Sequence, residues 1–364
     1  MQKNFETYIS SKKAVLESYL DVNYIRFVDD VRPYKRGTVV LEGNIILPPY
    51  PKIGRIFVLK EGLERYFKEP FFIEEKADGY NIRVFNYKGR PFALTRGGFI
   101  CPFSTDRLLD LYNFRKFFEY YPDYMLCGEI VGPNNPYMEL YPPYIKFDIE
   151  FRLFDIYDMK RETFLLPDER YKIVEELKIP SVYCYGKFDI SKLGSIKDLI
   201  LRLNSEGIEG VVFKSENKPQ KYFKYATPQI NIKDIEVDID LLVELPAEFF
   251  IQRILRYVIS SQELNYPVEK DLERVSNAFI LGFKRVLEEF KQKGKVSRDY
   301  VLFFNNPDNI TEFLKLERRA SNLIKVNLKN IEKDGQKYKV TIEKTFLKAT
   351  SRISRLLKGY PIYD

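Results

Sequence analysis

Phe71-Phe72-Ile73-Glu74-Glu75-Lys76-Ala77-Asp78-Gly79-Tyr80-Asn81-Ile82-Arg83 sets the reading of the whole chain. Phe71 to Ile73 is the apolar end of a buried strand, Asp78-Gly79 is a tight corner, and Ile82 to Phe85 starts a second strand. The pattern predicts a hairpin with Lys76 at its mouth. A lysine on a stem fixed by a sheet becomes a nucleophile once it loses its proton. Free lysine titrates near ~10.4, so the site must stabilise the neutral amine, with a bound metal or with neighbouring cations. Taken alone, Lys-x-Asp-Gly reads more simply as an ordinary hairpin bearing a solvated lysine.

Five more polar sets follow on strand-like segments: Thr95-Arg96-Gly97-Gly98, Cys127-Gly128-Glu129-Ile130-Val131, Leu153-Phe154-Asp155-Ile156-Tyr157, Glu209-Gly210-Val211-Val212-Phe213-Lys214 and Lys221-Tyr222-Phe223-Lys224. Composition narrows what they can do. With no histidine among 364 residues, Ser-His-Asp and Cys-His catalysis and His-ligated zinc are excluded. A metal here meets oxygen ligands, which favours magnesium or manganese. Cys101, Cys127 and Cys184 form no CxxC pair, which fits buried thiols in a reducing compartment. The polar N-terminus lacks a signal-peptide core and no run of 18 apolar residues occurs, so a cytoplasmic protein without a membrane span is expected. The formal charge of +7 permits a polyanionic partner without requiring one. Most of the 27 Tyr and 29 Phe must fill the core, and some could stack on bases.

Outward from the lysine, the chain divides into four expected units. Residues 1–65 are an N-terminal unit in which Val15, Leu16, Tyr19 and Leu20 recur at helical spacing, followed by a hairpin over 37–47 and a stiff Pro48-Pro49-Tyr50-Pro51 connector. Lys52 and Arg55 beyond it read as solvated charges on an edge, within possible reach of RNA phosphate. Residues 66–230 mix β-branched and aromatic runs with helices expected over 106–120 and 168–177, an α+β unit with a cleft between antiparallel sheets. Residues 231–310 change period, with amphipathic helices over 248–260 and 269–291. Residues 311–364 carry a helix over 311–320, a hairpin turning at Asp334-Gly335, and a closing helix with Lys348, Arg352, Arg355 and Lys358 largely on one face.

The order of the six motifs resembles the covalent nucleotidyltransferase superfamily of ATP-dependent ligases and RNA capping enzymes. With Pro51-Lys52-Ile53-Gly54-Arg55-Ile56 ahead of the core and a helix-rich tail behind it, nearly the whole chain is similar to the archaeal homodimeric, RNA-circularising RNA ligases. The resemblance implies a nucleotidyltransferase (ATP-grasp-like adenylation) core with a small N-terminal α/β unit, a helical dimerisation domain and a C-terminal α+β unit. It implies ATP and Mg2+ or Mn2+ as cofactors, RNA with a 5′-phosphate and a 3′-hydroxyl as substrate, and a homodimer.

By the same resemblance Lys76 is the nucleophile, Glu209 the metal-binding carboxylate, and Lys214 and Lys224 face the α-phosphate. Glu74, with Glu75 as fallback, accepts from the adenine amino group. Asn81 lies near the incoming 5′-phosphate, Arg96 on ribose and phosphates, Glu129 on the ribose, and Phe154 against the base. Clustered cations are expected to depress the pKa of Lys76. Two points depart from the pattern: the closing pair is Lys221 and Lys224, which cannot face the same way on a regular strand, and no Arg/Lys-rich motif of an OB-fold domain is present to orient pyrophosphate. Asp148, Asp155 and Asp158 read as turn or strand-edge residues. A DNA ligase, a GTP-using capping enzyme and a non-catalytic RNA-binding dimer are the alternatives.

Overall fold

The computed structural model describes residues 5–361 except 243. Near the N-terminus lie α1 (Glu6–Ser10) and a four-stranded sheet, β1 (Ala14–Tyr19), β2 (Val22–Phe27), β3 (Val39–Leu41) and β4 (Ile45–Leu47), in that order. The helical spacing expected over 15–20 is overruled here. The chain reverses at Leu20-Asp21, with Leu20 at φ 48°, and pairs residue for residue with the β-rich run that follows. A two-residue reversal followed by a ready partner strand wins over periodicity.

The core follows: β5 (Gly54–Arg55), α2 (Leu59–Tyr66), β6 (Phe71–Glu75), β7 (Tyr80–Tyr87), β8 (Arg90–Thr95), α3 (Pro102–Leu111), α4 (Phe114–Tyr120), β9 (Tyr124–Val131), β10 (Glu150–Asp158), β11 (Thr163–Phe164), α5 (Pro167–Leu177), β12 (Cys184–Phe188), α6 (Leu193–Ser205), β13 (Gly210–Ser215) and β14 (Tyr222–Ala226). They build two five-stranded sheets, β11-β10-β9-β7-β8 and β12-β6-β13-β14-β5. The single helix expected over 106–120 is two, because Asn113 caps α4 by accepting from Lys116 N (3.1 Å).

The expected hairpin at Lys76 does not form. β6 pairs with β12 and β13, whereas β7 pairs with β8 and β9, so Lys76 to Gly79 bridges the two sheets. Each sheet buries its outer face separately. The β7-bearing sheet packs Ile82, Val84 and Phe151 against Phe103, Phe114 and Phe117 of α3 and α4, and the β6-bearing sheet packs Phe71, Ile73 and Phe213 against Leu59, Leu63, Ile196 and Leu203 of α2 and α6. The cleft left between them is where polar residues are found.

Beyond the core come α7 (Pro228–Asp238), α8 (Ala247–Glu263), α9 (Leu272–Lys293), β15 (Ser297–Phe304), α10 (Pro307–Ala320), β16 (Ile324–Asp334), β17 (Lys337–Phe346) and α11 (Leu347–Leu357). β15 pairs with β17 across the division expected at 310, and β5 joins the core sheet across the division expected at 65. α10, between β15 and β16, docks on α3, where Asp106 accepts from Asn306 N (3.0 Å) and Asn309 Nδ2 (2.7 Å). Among the described residues, no helix is long and apolar enough to cross a membrane.

Candidate active site

Lys76 leaves the last residue of β6 with its backbone N donating to Gly210 O (2.9 Å), and Glu75 N donates to Tyr183 O (2.8 Å). These bonds fix the stem between β13 and the chain entering β12. At the other end of the bridge Gly79 is pressed onto β9, where a Cβ would lie 2.2 Å from Ile130 O, so glycine is needed for close approach. The bridge thereby delivers the amine into a cavity of about 460 Å3.

Glu74, Lys76, Asn81, Arg96, Glu129, Phe154, Lys214 and Lys224 all line that cavity. Asn81 and Glu129 are register partners across β7 and β9, and the buried Asn81 Oδ1 has no hydrogen-bond partner among the described residues. Phe154 stands where the β9–β10 register slips between Leu153 and Asp155, a bulge that re-aims its side chain. Its ring meets Tyr50 edge-on at 4.9 Å and packs beside Ala77 and Val182, which together wall an apolar slot. Glu209 is ion-paired with the Lys76 amine from the adjoining smaller cavity.

Electrostatics at Lys76 run against the expectation from sequence. Burial pushes the amine down, but Glu209, Asp78 and Glu129 outweigh it and hold the pKa above the ordinary lysine value. The depressed lysine is Lys224, lowered to about 8 by burial and by Arg55, Lys76 and Arg96. Burial also raises Glu129 to about 8, with Lys76 opposing the shift. The pair in doubt resolves by direction: Lys224 faces the cleft, while Lys221 donates to Glu69 (2.8 Å) outside it.

Glu74 and Lys214 carry more structure than their expected roles foresee. Lys214 Nζ donates to Phe154 O (2.6 Å) and Asp155 Oδ1 (3.1 Å) and is ion-paired with Glu74 Oε2 (3.0 Å). Glu74 also binds Arg170 and accepts from Tyr171 OH (2.6 Å). Burial opposes its ionisation, yet Arg170 and Lys214 hold it down at about 2. Asp155 accepts from Tyr50 OH (2.5 Å) at the rim of this buried cluster. Asp148 pairs with Arg107 (2.6 Å), and Asp158 accepts from Lys160 N (2.9 Å), both structural uses.

Sequence reading passed over Arg170 and took Arg55 chiefly as a solvated edge charge. Arg170, on an ordinary amphipathic helix, gives no signal, yet it is the buried counter-ion of Glu74 behind the cavity wall. Arg55 does sit on the edge strand β5, but it is partly buried rather than solvated: it lies opposite Lys224 in the parallel β5–β14 pair, and burial lowers its pKa.

No group of three or more Asp, Glu or Cys suited to a metal occurs among the described residues. The donors near the amine are the carboxylates of Glu209, Asp78 and Glu129. One or two hard oxygen ligands completed by nucleotide phosphate and water suit magnesium or manganese, so the site fits such an ion.

Residues 69–226 match the model of the family described as RNA ligase, and residues 237–360 match that described as the ligase Pab1020 C-terminal region. The uncharacterized protein MJ0414 of Methanocaldococcus jannaschii is 30% identical over 363 residues, covering 96% of this chain and 91% of its own. An Aquifex aeolicus structure, provisionally named an ATP-dependent DNA ligase, is 37% identical with a TM-score of 0.92, covering 98% of this chain and 99% of its own. An archaeal ATP-dependent RNA ligase, solved in two forms, is 25% and 26% identical at a TM-score of 0.88, over 98% of this chain and 96% of that one. A two-sheet cleft with a lysine on the bridge, and family matches on both sides of residue 230, place this chain in the RNA ligase family.

Proposed function

We propose that this chain is an ATP-dependent RNA ligase that seals a 5′-phosphate to a 3′-hydroxyl through a nucleotide carried on Lys76. The observation that carries the reading is the Lys76 amine, which sits at the mouth of the Phe154–Val182 slot between Glu209 and Lys224. In the first step the neutral amine attacks the α-phosphorus of ATP, an N–P bond forms, and pyrophosphate leaves as the P–O bond breaks. An oxygen of the RNA 5′-phosphate then attacks the same α-phosphorus and displaces the lysine, leaving AMP joined to the RNA end; finally the 3′-hydroxyl attacks the phosphorus of the RNA 5′-phosphate, and AMP leaves as the anhydride bond breaks.

In this reading Phe154, Ala77 and Val182 hold the base, Glu129 and Arg96 the ribose and phosphate, and Asn81 the incoming phosphate. Lys224 neutralises charge on the α-phosphate. Lys214, held by Phe154 O, Asp155 and Glu74, stiffens the wall and keeps Glu74 in place. Glu209, with help from Glu129, would hold Mg2+ or Mn2+, which draws negative charge away from the amine and supports its deprotonation when bound. We further propose a cytoplasmic homodimer assembled through the helices after residue 231.

Incubating the protein with ATP and magnesium, then taking an intact mass, tests the reading. An added AMP that disappears on a chase with 5′-phosphorylated RNA is expected, and Lys76→Ala should show none. A protein that never gains the adduct is not a ligase. Because of the Aquifex relative's name, the chase should be run with RNA and DNA ends side by side. Transfer to DNA alone would favour the DNA ligase reading.

A further inference from the structure

Lys224 and Arg55 face each other directly across the β5–β14 pair. Like charges in register on adjacent strands are destabilising, and here they are partly buried as well. The strand that brings them together is built for contact: a Cβ on Gly54 would lie 2.6 Å from the Phe223 ring. Two more cations approach from α8. Arg253 is paired with Asp234 (2.9 Å), and Arg256 stands 5.8 Å over the Phe57 ring with its buried Nε unpartnered among the described residues. The end of α8 is tied down, since Glu263 accepts from Leu59 N (2.6 Å) and Lys60 N (2.9 Å) at the start of α2. Arg253 and Arg256 are one turn apart and so share a helix face. The crowding registers in the side chains themselves: burial, Arg55 and Arg253 lower Arg256 to about 10. Glu209 and Asp234 are the acidic groups that offset the cluster, and both already serve a cation, Lys76 and Arg253 respectively.

We infer that Arg55 and Arg256, with Arg253 and Lys224, form a phosphate site beyond the cavity that holds Lys76. This rests on the ligase reading above. None of the three arginines lines the Lys76 cavity; Lys224, which does, joins them to it as the register partner of Arg55. In-line displacement at the α-phosphorus requires the group opposite Lys76 to be pyrophosphate in the first step and the RNA 5′-phosphate in the second. Both are terminal phosphate anions, and forked guanidinium groups suit them better than ammonium. A site of this kind would orient pyrophosphate without an OB-fold motif.

Arg256→Gln in the full chain is the variant of choice, because among the described residues Arg256 makes no ion pair that its removal would break, only a hydrogen bond to Gln252 (3.1 Å). Titration calorimetry on the unadenylated protein uses inorganic pyrophosphate in one arm, and 5′-phosphorylated against 5′-hydroxyl oligoribonucleotide in the other. Losing one charged hydrogen bond predicts roughly 10-fold to 100-fold weaker binding, with Arg256→Lys partly restored and the unfolding midpoint unchanged. Loss confined to pyrophosphate assigns the site to the leaving group. Loss confined to the phosphorylated oligonucleotide assigns it to the incoming end, and loss in both means shared use. Affinities unchanged in both arms overturn the inference. Should Arg256→Gln not fold, Arg55→Gln is read by the same outcomes. An absent AMP adduct in the unaltered protein would sink the ligase reading, while these titrations would still decide whether an anion binds here.

Discussion

The Lys76 amine faces Glu209, with Asp78 and Glu129 adding negative charge, so it holds its proton in spite of burial. A raised pKa means that the neutral amine is populated only as pH climbs. Adenylylation rates should therefore rise through the alkaline range, and more magnesium should move that limb to lower pH by masking carboxylate charge. Rates measured across pH at several magnesium concentrations check this, and a limb indifferent to magnesium contradicts it. Glu74 has the opposite sign. Its folded-state pKa lies below the ordinary carboxylate value, so it stabilises the fold above 4.5, and that contribution is lost as pH falls towards about 2. Glu74→Gln leaves the buried Arg170 and Lys214 with Asp155 alone as shared counter-ion, and should cost about 3 kcal/mol in denaturant unfolding.

The bridge from β6 to β7 is the element that matters most, because it converts two separately cored sheets into one site. Its geometry depends on Gly79 lying flat against Ile130 O. Gly79→Ala must push the bridge away from β9, at a cost of about 1–3 kcal/mol, and swing Lys76 out of line. AMP adduct formation should then fall far more than ATP affinity does, as measured by single-turnover adenylylation beside equilibrium binding. Equal losses in both would place the damage elsewhere. The β10 bulge acts similarly, turning Phe154 into the cavity while Leu153 stays in the core.

At the scale of the molecule, the helices after the core bury one face and leave another open. Ile235, Phe250, Val286 and Phe290 share a core with Phe346 and Ile353. Ile251, Leu255 and Val258 on α8, and Leu272, Ile280 and Leu281 on α9, remain exposed. On the homodimer proposal these residues meet a second copy, and Ile280→Glu should shift light-scattering mass from dimer to monomer with the AMP adduct still forming. A monomeric unaltered protein removes the proposal.

The sequence by itself determined the kind of chemistry and most of the elements. Without histidine, work falls to lysine, arginine and carboxylates, and short motifs in a set order named Lys76, Glu129, Glu209 and Lys224 before any coordinates. Long periodic helices such as α8 and α9, and the β16–β17 hairpin, were legible because their pattern is local. What only the tertiary structure decided was partnership. Whether β6 pairs with β7, whether 14–19 is strand or helix, and whether Arg55 meets water or Lys224 depend on contacts between residues far apart in the chain. The sign of the Lys76 shift belongs there too. Residue types alone suggested clustered cations, but charge acts through distance and burial, and folding put carboxylates nearest the amine.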